Sequence, residues 1–172
     1  VDTNQNLHLY TIFTIVFIAM GIYGYLNGGN LKSLKTLISS SCHCKNYIGT
    51  YGLETSLMNM AITGLLTLAV LFIFNIPLNG TTLGGLLSIV GFSGAGKNFI
   101  NIIPSFAGMY VMSLVSVWNI NDPSPSLIML YLSGLAPITS TFGFGPGIIA
   151  VMITSSVALN TGVLHAGLNL YN

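Results

Sequence analysis

Apolar residues run along this chain in six blocks, Leu9–Leu26, Leu57–Ile76, Thr82–Gly96, Ile102–Trp118, Ser126–Ser140 and Ile148–Gly162. None shows the apolar–polar alternation over ~10-residue segments that marks a transmembrane barrel. Continuous runs of this kind read as helices that cross a bilayer, because about 18 residues at ~1.5 Å rise nearly span a ~30 Å hydrocarbon core. The first two blocks are full-length. The last four are shorter and form two pairs, each interrupted at its centre by a glycine-rich stretch, Gly91-Phe92-Ser93-Gly94-Ala95-Gly96 and Phe142-Gly143-Phe144-Gly145-Pro146-Gly147. Between the pairs, Asp122-Pro123-Ser124-Pro125 is a turn signal. The expected fold is an all-α, polytopic transmembrane helical bundle of about six hydrophobic segments. It forms a single domain over residues 1–172, with the two pairs broken or re-entrant at glycine.

Composition strengthens that reading. Lys, Arg, Asp and Glu make up 4 % of the chain and hydrophobic residues 52 %, whereas a soluble domain carries roughly a quarter charged residues. Mean hydropathy is +0.81. A net charge of +1 offers no basic surface for nucleic acid. Lys32, Lys35 and Lys45 share the loop between the first two blocks, and Lys97 lies two crossings later. If all six blocks cross, every lysine falls on one side, and the positive-inside rule makes that side, with loop 27–56, cytoplasmic. The first block is too long for a signal peptide and lacks a basic flank, so it reads as a retained span. A start at Val1 and a stop at Asn172 without a polar tail suggest an excerpt of a longer polypeptide.

Several motifs carry candidate chemistry. Gly91 to Asn98 is one residue from a phosphate-binding G-x-x-x-x-G-K-[ST] loop, but Asn98 stands where the magnesium-binding hydroxyl belongs and no strand precedes it. Nucleotide binding is therefore not expected, and Lys97 reads as a helix-end anchor at the interface. Cys42-His43-Cys44 offers soft ligands at spacings too tight to close a tetrahedral zinc site. Neither a metal nor a cofactor is expected, and reduced thiols fit a cytosolic loop. His165 follows directly on an apolar span, where ionisable residues are costly and often functional. Gly24-x-x-x-Gly28 and Gly143-x-x-x-Gly147 fit close helix contacts. No nucleophile–base set or carboxylate pair is evident, so no enzyme is expected.

The passages Gly91-Phe92-Ser93-Gly94-Ala95-Gly96-Lys97-Asn98, running into Asn101-Ile102-Ile103-Pro104, and Leu164-His165-Ala166-Gly167-Leu168-Asn169-Leu170-Tyr171-Asn172 resemble a family of uncharacterised bacterial multi-pass membrane proteins. That family, domain-of-unknown-function family 1576, carries a G-K-x-x-x-N-x-x-P element and a terminal H-x-G-L-N-L-Y-N motif. The resemblance implies a bacterial cell membrane location and a chain that continues beyond this segment. It brings no activity with it.

The leading functional expectation is a channel or secondary transporter for a small polar solute. Gly/Pro-broken hydrophobic segments line solute sites in transporters, and so few charges suggest a neutral solute, or one met by helix-end dipoles rather than side-chain charge. The expected solute pathway comprises Gly94, Asn98, Asn101, Thr141, Gly145, His165 and Asn169. Expected partners are the lipid bilayer, a small-molecule solute, and the remainder of a longer chain or a homo-oligomer. The alternative is a non-transporting structural or assembly subunit whose Gly and Ser/Thr faces bind partner helices. A membrane-embedded enzyme ranks third.

Overall fold

A computed structural model describes residues 3–40 and 46–164. Its elements in chain order are α1 (Thr3–Leu26), α2 (Leu31–Ser39), α3 (Tyr47–Tyr51), α4 (Leu53–Ile73), α5 (Gly80–Phe92), α6 (Phe99–Val115), α7 (Pro123–Tyr131), a 3-10 turn (Leu132–Leu135), α8 (Ala136–Phe142) and α9 (Phe144–Leu164). The described residues contain no strand. Each of the six apolar blocks corresponds to one helix, or, for Ser126–Ser140, to the α7–turn–α8 series.

Four stretches are long and apolar enough to cross a membrane: Leu7–Leu26, Leu53–Ile73, Pro123–Phe142 and Phe144–Thr161. The helices α5 and α6 are apolar but shorter. At ~1.5 Å per residue they reach only about 20 and 26 Å, less than a full hydrocarbon core. They run in opposite directions from the glycine-rich loop that joins them, α5 packing on α4 and α7 and α6 chiefly on α9 and α8.

Asparagines set the starts of these helices. Asn79 accepts the amides of Thr81 and Thr82 while Thr82 Oγ1 accepts the amide of Asn79, so α5 opens on a reciprocal cap. Asn98 and Asn101 repeat the arrangement at α6. Asn30 opens α2 by accepting the amide of Ser33 at 2.7 Å. A cap of this kind satisfies amides that the first helical turn cannot bond internally. In α2, Leu34 and Leu37 are buried while Lys32 and Lys35 face outward. That amphipathic helix lies across one end of the bundle, inside the stretch that reads from sequence as a polar loop.

Helices meet at glycines. A Cβ on Gly24 of α1 would lie 2.5 Å from the Glu54 carbonyl oxygen of α4, and one on Gly64 of α4 would meet the Phe17 ring at 2.8 Å. Tyr10 donates to the Ile76 carbonyl at 2.7 Å near the far end of the same pair, so α1 and α4 are antiparallel. Gly85 of α5 seats Leu130 of α7, and Gly108 of α6 seats Val151 of α9. In lipid such close approach supplies the packing contacts that water-driven burial cannot. The span Leu53–Ile73 is 50 % buried, whereas Leu7–Leu26 is 11 % and Phe144–Thr161 is 17 % buried. So α4 is central, and α1 and α9 present apolar flanks.

The glycine-rich stretches are turns between helices. Gly96 (φ 126°) and Gly143 (φ 92°) take backbone conformations that side chains disfavour, at the α5–α6 and α8–α9 junctions. The interruption inside a span is the 3-10 turn Leu132–Leu135, followed by Pro137 in the first turn of α8.

Candidate functional site

Both glycine-rich turns lie at one end of the bundle, which is closed by hydrogen bonds. Asn59 of α4 is fully buried, and its amide donates to the carbonyls of Ser93 and Lys97, each at 2.8 Å. The Tyr47 hydroxyl donates to the Gly96 carbonyl at 2.9 Å, and the Tyr47 amide donates to the Gly94 carbonyl. Asn101 Nδ2 reaches both the Gly96 carbonyl (3.1 Å) and Ser140 Oγ of α8 (3.2 Å). Asn98 Nδ2 donates to the Ile38 carbonyl of α2 at 3.3 Å. The loop between α5 and α6 thus offers its carbonyls to the core, whereas a phosphate cradle would need its amides. Lys97 turns inward: Nζ lies 2.9 Å from Ser133 Oγ in the 3-10 turn and 5.0 Å from the Phe92 ring centroid. An aromatic face stabilises an ammonium in such surroundings.

Of the residues expected to line a solute pathway, Gly94, Asn98 and Asn101 come together in this junction. Thr141 and Gly145 sit at the same end but are exposed around the α8–α9 turn. His165 and Asn169 lie outside the described residues, as does Cys42-His43-Cys44. Asn59, Tyr47, Ser133 and Ser140 complete the junction from other elements. Sequence pattern does not pick out Asn59 or Ser133, each a single polar residue within an apolar stretch, nor Tyr47 of α3, whereas Ser140 stands in the polar run Thr139-Ser140-Thr141. Among the described residues no group of three His, Cys, Asp or Glu side chains is placed to hold a metal.

The opposite end is open. Between the end of α6, the start of α7 and the second half of α9 lies a cavity of about 610 Å³. Its polar wall comprises Ser116, Asp122, Ser124, Ser156 and Asn160, and Trp118 stands beside them. The elements that build it are set by local chemistry. Asp122 Oδ2 accepts the Asn119 amide at 2.9 Å, which folds the connection between α6 and α7. Pro123 then starts α7 at a position where a missing amide costs nothing. Helices α6 and α9 run parallel, with Gly108 against Val151 and Met112 Sδ 4.0 Å from Ser156 Oγ, so their ends flank the cavity together. Ile102, Phe106, Met109, Met129 and Val151 form dry core between the cavity and the glycine-rich end.

An all-helical bundle with several membrane-crossing apolar helices, one polar junction and one polar-walled cavity defines a membrane-embedded protein. The family described as Protein of unknown function (DUF1576) matches residues 26–172, and the chain belongs to that family. No curated protein and no solved structure matches it.

Proposed function

We propose that the chain forms part of a secondary transporter for a small polar solute in the bacterial cell membrane, with loop 27–56 in the cytoplasm and no enzymatic activity. The observation that carries this reading is the cavity at the α6–α7–α9 end, with its five polar residues in a chain with so few charges. Ligand sites usually enclose roughly 300–1,000 Å³, and about 610 Å³ falls within that range. The dry core beneath the cavity favours a carrier over an open channel. In a carrier the solute crosses only when the walls move, and the 3-10 turn and Pro104 within α6 are the places where backbone bonding is already interrupted. In this reading the glycine-rich end, with Gly94, Asn98, Asn101, Thr141 and Gly145, is the closed gate. His165 and Asn169 belong to the pathway beyond the described residues.

The structural-subunit reading rests on Gly and Ser/Thr faces that would bind partner helices. Gly24, Gly64, Gly85 and Gly108 already meet helices of this chain, which weakens that reading. The test is uptake of a panel of radiolabelled small polar solutes, neutral and charged, into proteoliposomes of the full-length protein. Saturable, protein-dependent uptake of at least one solute, abolished by Ser156→Trp in the cavity wall, is expected. Uptake no greater than in empty liposomes across the panel overturns the transport reading.

A further inference from the structure

The charges of the described residues are divided between the two ends of the bundle. Lys32, Lys35 and Lys97, together with Glu54 in the first turn of α4, lie toward the glycine-rich end, where α2 and the α5–α6 loop meet. Asp122 lies at the other end, in the cavity wall, and among the described residues no Lys, Arg or His lines that cavity. One Asp122 oxygen accepts the Asn119 amide. The other has no hydrogen-bond partner among the described residues. A carboxylate in a recess with apolar walls (Met112, Val115, Val117 and Leu159 here) sets up a negative potential that favours cations and disfavours anions. Trp118, the chain's single tryptophan, is half-buried in the same wall. Indole is the strongest of the aromatic faces for an organic cation. A bare metal ion would find one carboxylate and scattered hydroxyls in a space far larger than a coordination shell.

We propose that this cavity binds a small organic cation, an ammonium with apolar substituents, with Asp122 as counter-charge and Trp118 as aromatic contact. The proposal rests on the solute-cavity reading and replaces the neutral solute that composition alone suggests with a positively charged one. Ser116 and Ser124, and the side-chain oxygens of Ser156 and Asn160, whose donors bond carbonyls of α9, are placed to meet polar substituents of the same molecule.

The probe is choline, set against its uncharged isostere 3,3-dimethylbutan-1-ol, with the full-length protein in detergent. Binding is read by equilibrium dialysis, and by the part of the tryptophan fluorescence that Trp118→Phe removes. Saturable choline binding with no response to the isostere is expected. Asp122→Asn, which keeps an oxygen for the Asn119 amide, should weaken binding tenfold or more. Trp118→Phe should weaken it about two- to fivefold, the loss of a better cation–π partner. An equal response to choline and the isostere means apolar partitioning and overturns the proposal. So does a response reproduced by sodium chloride at equal ionic strength, or one unchanged in Asp122→Asn. Choline binding without choline uptake keeps the site and defeats the carrier reading. Uptake of a neutral solute without choline binding keeps the carrier and defeats the site.

Discussion

The two ends of this bundle use polar residues in opposite ways. At the glycine-rich end, Asn59, Asn98, Asn101 and Tyr47 are buried and spend their donors on backbone carbonyls and helix caps. At the cavity end, Asp122 and Asn160 are exposed, and Ser116, Ser156 and Trp118 are partly so. The contrast separates architecture from binding. Junction side chains bond between elements and hold helices in register, whereas at the cavity end Ser156 and Asn160 spend donors on carbonyls one turn back in α9, and one Asp122 oxygen stays available to a solute. The glycine- and asparagine-rich passage stands out most in the sequence, yet its side chains are engaged in holding the fold.

That division fails or sharpens in several measurements. The largest expected effect is all-or-none. With the native cysteines replaced by serine, Asn121→Cys should react with a membrane-impermeant maleimide added outside intact cells. Thr50→Cys should react only after permeabilisation. Labelling of both from outside would place the two ends on the same face and break the comparison.

Next is Asn59→Leu. It removes both donors to the α5–α6 loop and leaves the Ser93 and Lys97 carbonyls short of a partner. Each such loss costs about 1–3 kcal/mol, so the thermal midpoint in detergent should fall steeply. A fall no larger than that of Asn160→Ala, a cavity-wall change expected within about 0.5 kcal/mol of the native protein, would contradict a structural role for the junction.

Gly85→Val should cost about 1–3 kcal/mol through overpacking, because its Cβ would lie 2.7 Å from Leu130 Cδ1. Gly145→Ala, where a Cβ meets open space in the first turn of α9, should be neutral or stabilising by up to about 1 kcal/mol. Paired melting curves of the two variants distinguish a glycine that seats a helix from one that does not.

Among the destabilising changes Asn98→Ala should be the mildest, about 1 kcal/mol for a lost cap. It should be read by the same melts and leave choline binding unchanged. A loss of choline binding in this variant would couple the two ends directly.

Much of the bundle was legible in the sequence because lipid imposes a simple rule. An apolar run must be helical to satisfy its own backbone, and all six runs are. The interruptions were harder to place. Glycine runs mark a change of backbone direction without saying whether it falls inside a span or at its end, and Gly96 and Gly143 serve as end turns. The true mid-span interruption, Leu132–Leu135, hides within the apolar block Ser126–Ser140, where Gly134 and Pro137 are its only sequence signs. The amphipathic spacing of Leu31, Leu34 and Leu37 against Lys32 and Lys35 was present in the chain but masked by the polarity of the surrounding loop. The cavity could not be read at all. Its walls come from Met112–Pro125 and Ser156–Asn160, and no local spacing links segments that meet only because α6 and α9 run parallel.

The short α5–loop–α6 segment bears on how the protein is made. Its tip brings several backbone carbonyls into the bundle, and the side chains that bond them from other elements, Tyr47 and Asn59, both precede it in the chain. During synthesis from the N-terminus, α3 and α4 therefore leave the ribosome before the segment that depends on them. The α5–α6 loop can enter the bundle against a surface that already offers donors to its carbonyls. Lys97 and Asn101 must wait, since Ser133 and Ser140 are translated 36 and 39 residues later. The order of residues along the chain thus doubles as an order of assembly for the carbonyls of the tip, whose partners Tyr47 and Asn59 are made before them.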